Sequence, residues 1–337
     1  PTESENKFKD RHMISKFRIG VLVIILNFFA SVAMIWGQDN PSLLQMAVPS
    51  LNIAPDARGG GMGDMGAATL PDINSQYWNA AKYAFMGSKA GVSLSYTPWL
   101  RKLVNDVALV NMTGYYKLGN SDLQAISASL RYFSLGEVNI WENIGDVPYG
   151  LNPYEMAFDV AYSRKLSESY SMAVTLRYIR SDMGTDQNDE SNAGNAFSAD
   201  ISGYLEKYVL MGNAEALWSF GFNLSNIGSK ISYDGGNTNQ YLPAKLTLGT
   251  GLLYPIDDYN QIGVYLDLNK YMVPYAPQKE EGETDADYQT RVDDYKSWSS
   301  LSGMLKSFTD SPNGLLKEIM VSVGAEYSYN QQFFVRG

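Results

Sequence analysis

The sequence predicts an all-β protein whose strands cross a membrane as the wall of a barrel, and three observations carry the prediction. From about residue 90 onward, apolar residues recur at every second position, the period that gives a strand one apolar and one polar face. The connections between these segments alternate long and short along the chain. The composition is also poor in charge for its wealth of aromatics. Only 18% of the 337 residues are charged, beside 24 Tyr, 13 Phe and 6 Trp, where soluble domains average about 25% charge.

The residue inventory removes several chemistries. With no Cys there is no disulfide framework and no thiolate nucleophile or thiolate metal site. The single His, His12, precedes the first methionine, so Ser-His and Cys-His mechanisms lack their base. A net charge of −10 without a basic block argues against nucleic acid, whose phosphates call for clustered Lys and Arg. No cofactor or metal is expected. Asp186, Asn188, Asp189 and Glu190 in one loop and the acidic run after Lys279 could hold calcium, but neither has EF-hand spacing and a solvated loop is the default.

In chain order, residues 1–12 are polar and featureless, and Met13 is read as the natural start, with 1–12 as an upstream extension. Lys16 and Arg18, the apolar run Ile19 to Ala30 and the small residues Ser31 to Ala33 have the anatomy of a signal peptide over 13–37. A transmembrane helix over Ile19 to Trp36 is the competing reading. Removing residues 1–38 takes five Lys/Arg and three Asp/Glu away, leaving 21 against 33 and a charge of −12.

Residues 38–89 form a segment of their own. Its part from Asn52 to Phe85 is glycine-rich, punctuated by Pro55 and Pro71, and carries Asp56, Arg58, Asp64 and Asp72. It is too irregular for a strand and too polar for lipid. Gly61, Gly63 and Gly66 satisfy G-x-G-x-x-G, but no strand precedes them and no βαβ unit surrounds them. A compact plug inside the barrel fits better, because glycine permits tight turns and close approach to a wall. The expected plug residues are Asp56, Arg58, Gly61, Gly63, Asp64 and Asn79.

The barrel is expected over 90–337. Ile126, Leu130 and Tyr132 alternate with Ser127, Ser129 and Arg131, and Phe158, Val160 and Tyr162 with Asp159 and Ser163. The same pattern places Thr175, Arg177, Asp200 and Asp267 on a wet inner face. Short turns are read at 119–122, 167–169, 211–214, 255–259 and 330–331, and longer loops at 98–105, 136–154, 184–195, 226–243 and 274–314. Outer-membrane barrels have short periplasmic turns and long external loops. Tyr96, Trp99, Tyr115, Tyr116, Tyr254 and Tyr265 lie near strand ends, where interfacial girdles form. About ten complete strands and the start of an eleventh are present. Closed bacterial barrels need an even number, so the chain is expected to be C-terminally truncated.

The stretch from Ala54 to Phe85, followed by Gly91 to Asp106, resembles the N-terminal signature of the PorV (LptO) family of the Bacteroidetes type IX secretion system. The resemblance runs from about Ala54 to Gly337. That family is similar to the FadL-like barrels, which implies an outer-membrane cylinder of fourteen strands with an N-terminal hatch. An Asn-Pro-Ala motif commonly ends the hatch in that group; here Asn79 and Ala81 stand around Ala80. The resemblance implies a non-enzymatic outer-membrane shuttle. It would bind C-terminal signal domains of secreted cargo and pass them from the translocon to an attachment complex containing a sortase-like protease, amid outer-membrane lipid and lipopolysaccharide. A FadL-type channel for hydrophobic solutes is the alternative, disfavoured by the polar inner face. The lipid A deacylase suggested by the family's second name lacks a histidine base.

Candidate partner contacts lie in the long loops: Trp141, Tyr149 and Tyr154 in one, Tyr295 and Trp298 in another. The second loop carries the acidic run Glu280 to Asp287, then a stretch Tyr288 to Phe308 in which Val292, Tyr295, Trp298, Leu301 and Leu305 share helical spacing. These residues either meet cargo or pack the loops onto the rim.

Overall fold

A computed structural model describes residues 44–99, 102, 106–119, 122–140, 149–184, 193–236, 238–311 and 314–337. The extension 1–12, the leader 13–37, Trp141 and the acidic residues 186–190 lie outside them. Among the described residues thirteen strands are formed: β1 Ala90–Pro98, β2 Val107–Leu118, β3 Gln124–Leu135, β4 Val138–Ile140, β5 Tyr149–Leu151, β6 Tyr154–Lys165, β7 Tyr170–Asp182, β8 Gly194–Met211, β9 Ala214–Gly228, β10 Lys245–Pro255, β11 Asn260–Tyr271, β12 Met320–Tyr329 and β13 Phe333–Arg336. Eleven of them make one sheet, each strand beside its neighbour in sequence once β4 and β5 are set aside. Every pairing is antiparallel. The sheet is an open meander with β1 and β13 at its edges. The remaining two strands pair as a hairpin inside the connection 136–153, which the sequence presents as plain loop.

The alternation of long and short connections holds throughout, down to the two-residue turn between β8 and β9, where Gly212 sits at φ 65°. Period two sorts the side chains. Ser127, Ser129, Arg131, Asp159, Thr175, Arg177, Asp200 and Asp267 are buried, while Ile126, Leu130, Tyr132, Phe158, Val160 and Val174 are exposed. Polar inside and apolar outside inverts the soluble rule and is the pattern of a membrane barrel wall. The girdle expectation needs one correction. Tyr96, Trp99 and Tyr116 are exposed, but Tyr115 and Tyr265 are buried, because their strand positions share the inward parity of Thr113 and Asp267.

The buried face is filled by residues 44–89. This hatch contains 3-10 turns at Pro49–Asn52 and Ala80–Phe85 and two short helices, α1 Ala57–Gly61 and α2 Ser75–Trp78. It starts at the long-loop end, where Ala47 N donates to Tyr241 O (2.9 Å) and Ser50 N to Glu155 Oε2 (3.0 Å). It leaves at the short-turn end, where Lys117 Nζ donates to Met86 O (2.7 Å) just before β1. One segment touching strands from β2 to β12 requires the sheet to curl around it.

The long connection after β11 holds α3 Asp285–Ser297 and α4 Ser300–Lys306. The sequence stripe from Tyr288 to Phe308 is therefore two helices. Trp298 leaves the helical region (ψ 135°) and Ser299 caps α4, accepting from Ser302 N. The break rotates Leu301 and Leu305 away from the side of Tyr295, and both are exposed.

Candidate functional site

The hatch is built around one tryptophan. Asp56 caps α1, its Oδ1 accepting from Gly59 N (2.8 Å), and its Oδ2 accepts from Trp78 Nε1 (2.7 Å). A Cβ at Gly59 or Gly66 would come within 2.2 or 2.3 Å of Trp78, so these two glycines form its slot. Gly63 turns the chain at φ 77°, and Asp64 follows at φ 58°. A side chain at Gly61 would meet nothing. Of the G-x-G-x-x-G glycines, then, Gly66 serves packing and Gly63 serves the turn. Fully buried Lys82 donates to Gly66 O (2.8 Å) and Thr69 Oγ1 (3.1 Å), tying the two halves of the hatch together.

The hatch is fixed to the wall by side chains that address backbone. Asn79, fully buried, donates from Nδ2 to Ala67 O and to Gly203 O on β8, both at 2.9 Å, and accepts from Ala81 N through Oδ1. It therefore caps the 3-10 turn Ala80–Phe85 within the hatch, with alanine after it. Asp267 on β11 accepts from Gly66 N (2.9 Å) and Ala67 N (3.0 Å). Ser219 on β9 donates to Ala68 O (2.6 Å), and Asn223 to Trp78 O (3.0 Å). Here the backbones meet: a Cβ at Gly221 would lie 1.9 Å from Ala67 O. At the β12 side, Arg58 pairs with Asp72 (2.8 Å) and with buried Glu326 (3.3 Å).

Towards the long-loop end lies a charged cluster. Arg177 on β7 grips Asp200 on β8 with both terminal nitrogens (2.8 and 3.1 Å) and Asp159 on β6 with Nε (3.2 Å). Asp159 in turn accepts from Gln76 Nε2 (2.6 Å) and Ser129 Oγ (2.9 Å). Arg131 donates to Ser50 O (2.8 Å) and Ile53 O (2.7 Å) and lies over the Tyr77 ring. Buried charges persist where paired and hydrogen-bonded; Arg177, Asp159 and Asp200 meet that condition, whereas Arg131 is held by two backbone carbonyls and its Nη1 has no hydrogen-bond partner among the described residues. The narrow cavity left among them is lined by Arg131, Arg177, Lys245, Asp64, Asp200 and Asp267. Leu51, Ala67, Tyr77 and Trp78 also line it, so its walls mix charged and apolar groups.

The loop-end aromatics form two separate groups. Tyr154 stacks on Tyr132 (centroids 5.4 Å) and accepts from Arg180 Nε (3.0 Å). Tyr295 stands edge-on between Tyr241 and Trp298 (5.7 and 5.6 Å), with Lys306 Nζ 3.7 Å over the Trp298 ring. Tyr149 opens β5. The acidic run is spoken for locally: Arg291 pairs with Glu283 (2.6 Å) and Glu280 (3.5 Å), and Lys279 with Asp285 (2.6 Å). The hydrogen bonds from Arg291 hold the Glu283 carboxyl below its ordinary range.

All six sequence-predicted plug residues lie in the segment on the buried face; Asp56, Arg58 and Asn79 bond within it or to the wall. Gln76, Trp78 and Lys82 escape sequence reasoning, because an irregular segment has no periodicity to say which side chain turns inward.

A curled sheet with a hatch-filled polar face and an apolar outer face is the wall of an outer-membrane β-barrel, and the chain is an outer-membrane protein of that class. Within it, the family model of the type IX secretion system protein PorV matches residues 37–279, and the chain belongs to that family. Among solved structures, the chain is similar to OmpT, an outer membrane protein of Vibrio cholerae, at 9% identity and TM-score 0.31, covering 55% of this chain and 51% of that one. It spans about half the length of that protein. It is also similar to the Ralstonia pickettii toluene transporter TbuX, at 14% identity and TM-score 0.36, covering 86% of each chain. No curated protein matches.

Proposed function

We propose that this protein is a shuttle and scaffold of the type IX secretion system, which holds C-terminal signal domains of secreted cargo at its long-loop end and passes them from the translocon to the surface attachment complex. The observation that carries the reading, beyond family membership, is the interior. A hatch bonded to the wall along its whole length makes a rigid platform and leaves the work to the loops. The hatch spans 38–89 and the platform 90–337, preceded by a cleaved leader. The aromatic loop residues Tyr149, Tyr154, Tyr295 and Trp298, with Trp141, border the cargo surface, since aromatic groups anchor interfaces. No catalytic role is assigned. A hydrophobic-solute channel has less support, because six charged side chains line the cavity between hatch and wall.

Affinity capture from native outer membranes tests the reading. Recovery of cargo signal domains and translocon components is expected, and their recovery should fall when residues 285–306 are replaced by a short Gly-Ser linker. Recovery of bound fatty acid with no secretion partner would establish the channel instead.

A further inference from the structure

The register places Leu246 on β10 opposite Leu224 on β9 and Lys270 on β11. These three form a row across the outer face of the wall at its long-loop end. The next row towards the turns, Phe222, Leu248 and Leu268, lies about 7 Å away, two strand residues on. Leu248 and Leu268 in it are exposed, as membrane-facing residues are. The first row is covered. Met304 of α4, 8% exposed, packs in a cluster with Ala244 and Met272 against Leu224 and Leu246. Lys270 is paired with Glu318 at 2.6 Å and lies 5.3 Å from the Phe308 ring. Met304, Phe308 and Glu318 thus lie against the outside of the wall.

What this segment turns away from the wall includes large apolar side chains, beside exposed Thr309 and Asp310. Leu301 and Leu305, one helical turn apart on α4, are 64% and 73% exposed, and Leu316 is 83% exposed. Water is a poor neighbour for three such side chains, and the surface runs on into the bilayer-facing row beneath it. That continuity identifies the occupant. Two basic side chains flank the leucines: Lys306, held over Trp298, and exposed Lys317. Apolar residues beside Trp and Lys match the boundary between acyl chains and anionic headgroups.

We propose that α4, residues 307–311 and residues 314–317 form an interfacial apron that sinks Leu301, Leu305 and Leu316 into the outer leaflet while Lys306 and Lys317 meet lipid phosphates. The apron is thus a membrane contact, and α3 is the part of this loop that stands in water. The inference rests on the wall's outward face and is independent of the shuttle reading.

The chain has no cysteine, so single replacements can be labelled cleanly. Leu301→Cys, Leu305→Cys and, on α3, Ala286→Cys are labelled with a nitrobenzoxadiazole probe. The full chain is reconstituted in phosphatidylcholine–phosphatidylglycerol vesicles, and folding is verified by heat-modifiable gel mobility. All three sites are exposed, so labelling leaves the core intact. Nitroxide lipid, spin-labelled near the headgroup, is expected to quench the probes at 301 and 305 several-fold more than the one at 286, with iodide ranking them in reverse. Equal or greater iodide access at 301 and 305 would overturn the apron and leave that surface for a protein.

Discussion

The hatch interface and the loop layer after β11 are both held to the same wall, with the balance between directed bonds and apolar packing reversed. The hatch meets the inner face through directed bonds to fixed backbone atoms: Asn79 to Gly203 O, Ser219 to Ala68 O, Asp267 to the amides of Gly66 and Ala67. The loop layer meets the wall through Met304 and the Lys270–Glu318 pair, and the neighbouring connection through Tyr295 edge-on to Tyr241, with part-buried ion pairs such as Arg291–Glu283 along α3. Directed bonds allow one geometry, whereas aliphatic and edge-on aromatic contacts tolerate sliding. The inside of this molecule is built to stay put and its loop end to adjust.

The largest expected break in that contrast is Arg177→Ala. It strands Asp159 and Asp200 without their partner, and breaking a buried pair costs about 3–5 kcal/mol. The urea midpoint of the heat-modifiable gel shift should fall accordingly, with Arg177→Lys recovering part of the loss. An unchanged midpoint would put the interior on a level with the loops. Next is Gly221→Ala, whose methyl must displace Ala67 O. Overpacking of this kind costs about 1–3 kcal/mol, and trypsin should begin to cut after Arg58 while the wall stays folded.

Trp298→Ala should be milder. An aromatic pair is worth about 0.5–1.5 kcal/mol beyond its area, so amide exchange should quicken in α3 and α4 while Arg58 remains protected. Smallest is the Arg291–Glu283 pair. Its carboxyl is held below the ordinary range, so its contribution is present above the unfolded carboxyl value and is lost as pH falls through the lowered one. Exposed pairs contribute little. The difference in α3 exchange between wild type and Glu283→Gln, present at neutral pH, should vanish in acid.

Most of the wall was legible in the sequence, because period two reports which face is buried without reference to any partner. Strand parity placed Arg131, Asp159, Arg177, Asp200 and Asp267 on the inner face, where they are. The same parity, applied to position rather than to residue type, would have kept Tyr115 and Tyr265 out of the girdle. The hatch was legible as a segment but not in its contacts. Glycine, proline and charge say that a chain is neither strand nor lipid-facing, while Asn79 reaching β8 depends on an approach of backbones that only Gly221 reveals. The helix break at Trp298 was hidden by three-and-four spacing that runs on across it; Ser299, a good N-cap beside the tryptophan, was the available signal.

The hatch also has a bearing on how the chain folds. Hairpins of the wall join neighbours in sequence, but the bonds of Asn79, Ser219 and Asp267 to or from the hatch close separations of 124, 151 and 201 residues. Contacts so distant form slowly, so the segment that precedes the wall in sequence is among the last to find its place. Until it docks, the polar side of the sheet lies unfilled, and a stopped-flow refolding trace should separate a fast phase of strand pairing from a slower one in which Trp78 enters its slot between Gly59 and Gly66.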